Sequence, residues 1–231
     1  MEKTLISSTA IFDLEVPSKL IETGAKGEKP LIIYLHGFKH NLEYFKKKCE
    51  GLRSVEAYHL FLQGPYAVYD ENHDRKVAQW GRAWYLYDGE QTQFINSMEK
   101  STQFIKKITN NILPEIQPSK ITLLGYSMGG YLAGYVGLSR PDYIDDLIVV
   151  GGRIKTEHFS GQTFPNLSVL ALHGIKDRSV DAQRQKESSS ELEKMGATVS
   201  YRGIDTGHRF GKPYIDEIIK WFKKNEYVFI K

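Results

Sequence analysis

Residues 121–124, Ile-Thr-Leu-Leu, run directly into Gly125-Tyr126-Ser127-Met128-Gly129, and this junction restricts the fold more than any other stretch. A short apolar run rich in β-branched and branched side chains is the pattern of a strand buried on both faces of a parallel sheet. The five residues after it fit G-x-S-x-G, the nucleophile elbow. In that motif a serine sits on a strained strand-to-helix turn with its Oγ exposed above the sheet. Glycine is needed on either side because side chains there would crowd the strand and the helix. Tyr131, Leu132, Tyr135 and Leu138 then recur at helical spacing, and Gly130 and Gly134 permit close packing. The free N–H groups of such a helix start point at Ser127.

The remaining chain reads as a frame for this junction. Residues 5–16 alternate loosely, as an antiparallel edge strand or hairpin would, and 23–27 are turn-rich. Residues 30–35 form a strong buried strand ending in His36-Gly37-Phe38. Asn41 caps a helix expected to reach about Leu52, with Leu42, Phe45 and Cys49 inward. Residues 57–62 read as the next strand. Residues 66–89 have no clean period but carry Tyr66, Tyr69, Trp80, Trp84, Tyr85 and Tyr87, and a long loop rich in aromatics is usually functional. A long amphipathic helix follows over 91–113, ended by Pro114. After the elbow and its helix, buried strands are expected at 146–151 and 167–172, a helix at 181–195, a last central strand at 198–202 and a closing helix at 212–224. This alternation of strands and helices predicts an α/β fold with a mainly parallel sheet, helices on both faces and ligands at the strand carboxyl ends.

A serine hydroxyl is a weak nucleophile at neutral pH, so Ser127 requires a general base oriented by a third group. Asp177 lies just beyond the 167–172 strand, and His208 lies in the loop after the last one. The order Ser127, Asp177, His208 is that of an α/β hydrolase, with each residue at the carboxyl end of its strand. Asp181 and Asp205 are neighbouring carboxylates, and Asp205 is better suited to capping or turning its loop. For the two N–H donors of an oxyanion hole, Met128 follows the nucleophile and Phe38 follows the His36-Gly37 pair. His36, His40, His173 and His208 have no zinc-motif spacing, so no metal site is expected.

Composition narrows the classes. The chain has 231 residues, 41% hydrophobic, enough for one core and too few to demand two, so a single domain over 1–231 is expected. Its net charge of +3 comes from 31 basic and 28 acidic residues scattered in short runs. That is a solvated surface and not a nucleic-acid stripe. Cys49 is the only cysteine, which excludes internal disulfides. The N-terminus lacks an apolar signal core and no run is long enough to span a bilayer. A soluble, cytoplasmic protein is expected, with a small-molecule substrate, no nucleic-acid partner and no membrane span; a homodimer is compatible with these features.

The segments LHGF (35–38), GYSMGG (125–130), HGIKDRSV (173–180) and DTGH (205–208) resemble the α/β-hydrolase superfamily, and within it the phospholipase/carboxylesterase family that includes acyl-protein thioesterases. The similarity runs from about Lys29 to Phe222, and the segment GRAWY (81–85) is similar to that family's tryptophan-bearing pocket loop. The resemblance implies hydrolysis of carboxylic esters or thioesters without metal or organic cofactor. Charge at Arg153 and Lys155, and the tail 227–231, depart from the family pattern. Only about fifteen residues separate the strands ending near Gly151 and beginning near Leu167, so no helical cap is expected and the cleft is open. Its walls are expected from Phe38, Trp80, Trp84, Tyr126 and Arg153, with Arg153 or Arg178 as candidates for meeting an anionic substrate. Three alternatives stay open: a peptidase of the prolyl-oligopeptidase type, an esterase acting on carbohydrate acyl groups, and a non-catalytic binding protein of the same fold.

Overall fold

A computed structural model of the protein describes residues 8, 10, 13–72 and 74–230. In chain order its elements begin with β1 (Ser18–Glu22), β2 (Leu31–Leu35), α1 (Leu42–Lys48), β3 (Tyr58–Leu62), β4 (Tyr66–Ala67), β5 (Arg82–Ala83) and α2 (Gln91–Ile116). They continue with β6 (Ile121–Tyr126), α3 (Met128–Ser139), β7 (Asp146–Val150), β8 (Ser168–Gly174), α4 (Ala182–Lys194), β9 (Thr198–Ile204) and α5 (Lys212–Lys224).

Seven strands form one sheet in the order β1-β3-β2-β6-β7-β8-β9, while β4 and β5 make a separate small ladder. Only β1 runs antiparallel to its neighbour; every other pairing in the large sheet is parallel. The two-residue period of β2 explains how the helices find their places. Leu31, Ile33 and Leu35 point into one core with Phe94 and Met98 of α2, Leu132 of α3 and Leu192 of α4. Ile32 and Tyr34 point into the opposite core with Phe45 of α1 and Ile218 and Phe222 of α5. Both faces of the sheet are therefore covered, and the strand carboxyl ends converge along one edge where the loops after β2, β6, β8 and β9 meet. This is the α/β-hydrolase architecture. Between β7 and β8 the chain makes a single 3-10 turn, Thr156–Phe159, so no cap domain stands there.

Several sequence expectations need correction. The sheet's edge strand among the described residues is Ser18–Glu22; of the expected stretch 5–16, residues 13–16 have no regular structure and most of the rest lies outside the described residues. The helix capped by Asn41 ends at Lys48 and tightens into a 3-10 turn over Glu50–Ser54. Three-residue spacing there keeps Cys49 and Leu52 on one buried side. Pro114 does not end α2. It stands in the last turn, where only one intrahelical bond is lost, and the helix closes at left-handed Gln117, whose N–H donates to the Leu113 carbonyl at 2.9 Å. The strand at 198–204 is an edge and not central: it pairs with β8 alone and has no fully buried residue.

Candidate active site

Ser127 has φ 53° and ψ −117°, a sparsely populated conformation for a residue with a side chain. β6 reaches Tyr126 and α3 begins at Met128, so the whole reversal is carried by this one residue. The Ser127 N–H donates to the Val150 carbonyl at 2.8 Å, and its own carbonyl accepts from the Tyr131 N–H at 3.0 Å. The flanking glycines make the turn possible. A Cβ on Gly125 would stand 2.0 Å from the Gly129 carbonyl oxygen, and one on Gly129 would stand 2.3 Å from the Leu35 oxygen.

Ser127 Oγ lies 2.8 Å from His208 Nε2, and His208 Nδ1 lies 2.7 Å from Asp177 Oδ2. With Nδ1–H donating to the carboxylate, Nε2 faces the hydroxyl as an acceptor. The Asp177 side chain is fully buried while a quarter of His208 is exposed. The other carboxylate oxygen of Asp177 accepts from the N–H groups of Ser179 and Val180 at 2.8 and 3.0 Å. Burial alone would raise this carboxyl. The His208 bond and the two backbone donors outweigh it and hold the group below its ordinary value. Neither neighbouring carboxylate competes: Asp181 caps α4 through the Gln183 N–H, and exposed Asp205 pairs with Lys176 at 2.5 Å.

The turn after β2 closes the other side of the site. His36 is fully buried, its Nδ1–H donates to the Gly37 carbonyl at 2.8 Å, and its Nε2 accepts from the Gly64 N–H at 3.0 Å. Burial lowers its pKa to about 4, in keeping with a neutral ring that both donates and accepts. Among the described residues no acceptor meets the Phe38 N–H, and Met128, as the first residue of α3, has no intrahelical acceptor for its own.

The expected pocket residues are distributed differently. Trp84 is fully buried, and its Nε1–H donates to the His36 carbonyl at 2.7 Å, so it supports the β2 turn from beneath. Tyr126 is also buried, with its hydroxyl 2.7 Å from the His208 carbonyl oxygen. Trp80 bonds within its own loop, to the Arg75 carbonyl at 3.1 Å, and packs edge-on against Tyr69. Arg153 turns toward α4, bonding Ser188 and Glu157 beside a cleft of about 380 Å³ whose lining includes none of Ser127, Asp177 or His208. Phe38 is half exposed at the rim.

The sequence does not mark His173 as a neighbour of the Asp177 carboxylate. Buried His173 donates from Nε2 to the Val180 carbonyl at 3.0 Å, and the same nitrogen lies 3.3 Å from Asp177 Oδ2. Its only sequence signal is its place at the end of β8, four residues before Asp177. Among the described residues, no group of three or more His, Cys, Asp or Glu side chains is placed to hold a metal ion. No described helix is long and apolar enough to cross a membrane.

A family model described as phospholipase/carboxylesterase matches residues 17–226. Among solved structures, the carboxylesterase of Bacillus cereus superposes with a TM-score of 0.74 at 17% identity, over 90% of this chain and 94% of that one. A carboxylesterase from Mesorhizobium loti gives 0.74 at 20% identity, over 92% and 97%. Arabidopsis thaliana SOBER1 gives 0.68 at 19% identity, over 85% and 98%. No curated protein matches the chain significantly.

Proposed function

Because the chain belongs to the phospholipase/carboxylesterase family and is a carboxylesterase-type hydrolase, we propose that it cleaves small carboxylic esters, or thioesters, through an acyl-enzyme on Ser127. The observation that carries this reading is the unbroken relay from Ser127 Oγ through His208 to buried Asp177, with steps of 2.8 and 2.7 Å.

In this mechanism His208 Nε2 takes the proton as Ser127 Oγ bonds to the acyl carbon. The carbonyl oxygen becomes an oxyanion between the N–H groups of Phe38 and Met128, each contributing roughly 3 kcal/mol of barrier lowering. Asp177 stays ionised, keeps the imidazole in the right tautomer and stabilises its cation. Collapse of the intermediate breaks the bond to the alkoxide or thiolate, which takes the proton from His208 Nε2. A water molecule then attacks the acyl carbon, giving its proton to His208, and Ser127 is released with the carboxylic acid.

Ser127→Ala is expected to lower hydrolysis of a short nitrophenyl ester by on the order of a million-fold, as where such residues act as a unit. Mass spectrometry of the fluorophosphonate-treated wild type should place a single adduct on Ser127. Near-normal turnover by the variant, or an adduct elsewhere, would remove the assignment. Relative rates on esters, thioesters and peptide amides identify the acyl substrate.

A further inference from the structure

The loop that brings His208 to Ser127 runs from the end of β9 at Ile204 to the start of α5 at Lys212 with no regular structure of its own. Its backbone touches the Asp177 loop through the Lys176 N–H, which donates to the Thr206 carbonyl at 3.0 Å. The next two carbonyls toward the imidazole are held by phenols. Tyr214, in the first turn of α5, donates its hydroxyl to the Gly207 carbonyl at 3.0 Å, and Tyr126 donates to the His208 carbonyl at 2.7 Å. Tyr214 is fully buried and Tyr126 is 5% exposed, so neither presents a face to solvent.

We propose that Tyr126 and Tyr214 are positioning residues that hold the His208 backbone so that its imidazole bridges Ser127 and Asp177. The inference rests on the reading of Ser127 as nucleophile and His208 as base. Three contacts make the arrangement a rigid clamp. Tyr126 is the residue before Ser127, so one short path of strand and phenol ring links the nucleophile to the carbonyl of its base. The same ring also fixes the turn carrying the Phe38 N–H: a Cβ on Gly37 would meet two carbons of the Tyr126 ring at 2.8 Å. Tyr126 therefore touches nucleophile, base and oxyanion turn at once. On the far side, Tyr214 stacks on Phe210 at 6.1 Å, and Phe210 packs against Tyr126 at 5.3 Å, which ties the two phenols together. Burial pushes the Tyr126 hydroxyl up to about 12 and raises that of Tyr214, so both keep the proton they donate.

Tyr126→Phe, Tyr214→Phe and the double variant remove these two donors with almost no change of volume. Each single variant is expected to lower kcat on a nitrophenyl ester roughly tenfold and the double roughly a hundredfold, the scale of a small misplacement of a reacting group. KM should stay within about twofold. The acid limb of kcat/KM should move to lower pH, because an imidazole less well seated on Asp177 gives a less stabilised cation. Unfolding curves give the folded fraction at the assay temperature. Wild-type kcat with an unmoved acid limb would overturn the proposal, as would a loss of kcat that only follows the folded fraction. Fluorophosphonate labelling separates this from the underlying reading. A wild type that forms no adduct on Ser127 overturns the nucleophile, whereas a labelled wild type with unaffected variants overturns only the clamp.

Discussion

Asp177 is the residue whose surroundings say most about what it is asked to do. Its side chain is fully buried, yet its two oxygens accept from His208 and from the Ser179 and Val180 N–H groups, and its carboxyl stays below the ordinary range. Asn at 177 would keep the shape but offer an NH2 group where acceptors are needed, favouring the wrong imidazole tautomer at His208. Asp177→Asn is therefore expected to cut kcat by about 10⁴-fold with little change in fold. Asp205, exposed and paired with Lys176, serves as the comparison, and Asp205→Asn should stay within a few-fold of wild type. Steady-state kinetics of the two variants decide the matter, and equal losses would mean the orienting carboxylate has been misassigned. His173 was not legible as Asp177's neighbour because nothing in the spacing of two strand-end residues tells which face the ring takes.

At the scale of elements, the parts that sequence made legible are those in which local pattern and tertiary demand agree. The run 31–35 is buried at every position, so an unbroken apolar segment sufficed to place β2. The G-x-S-x-G junction was legible because its glycines are sterically required by the contact of α3 with β6 and β2. What could not be read was set by long-range partners. β1 is an edge strand whose residues are mostly exposed, so Ser18–Glu22 carries little hydrophobic signal. Trp84 and Tyr126, expected as pocket walls, lie in the core instead, since an aromatic buries area wherever it lies. Their hydrogen bonds to the His36 and His208 carbonyls exist only once distant segments have met. The junction itself gives a test. A methyl on Gly125 would stand 2.0 Å from the Gly129 carbonyl oxygen and 2.7 Å from Ala133 Cβ, driving α3 off the sheet. Gly125→Ala should cost about 3 kcal/mol or more of stability and slow labelling of Ser127. An unchanged urea midpoint would mean that the helix can shift without loss.

For the molecule as a whole, two of the three fully buried imidazoles among the described residues, His36 and His59, couple sheet stability to pH through the β2–β3 region. His36 bridges the end of β2 to the Gly64 N–H beyond β3, and His59 of β3 contacts the Tyr34 hydroxyl of β2 through Nδ1 and Thr23 Oγ1 through Nε2. Each ring joins neighbouring segments while uncharged, and burial lowers the pKa of both from 6.5 to about 4. Between those values the unfolded chain binds protons that the folded chain refuses, so stability rises with pH across the interval. Their contribution is present in full above pH 6.5 and is lost as pH falls toward 4. It amounts to on the order of 3 kcal/mol for each ring. Against a typical net stability of about 5–15 kcal/mol, two such rings are enough to bring acid unfolding into the mildly acidic range. Urea midpoints should thus be flat above about pH 7 and fall steeply between 6.5 and 4. His59→Gln replaces one titrating ring with an amide that never charges, and it should remove part of that slope, the rest staying with His36, His40 and His173, whose pKa values burial also lowers, while leaving the neutral-pH rate of ester hydrolysis intact. A midpoint that stays level down to pH 4, or a slope indifferent to this substitution, would show that the sheet tolerates these cations and that acid lability lies elsewhere.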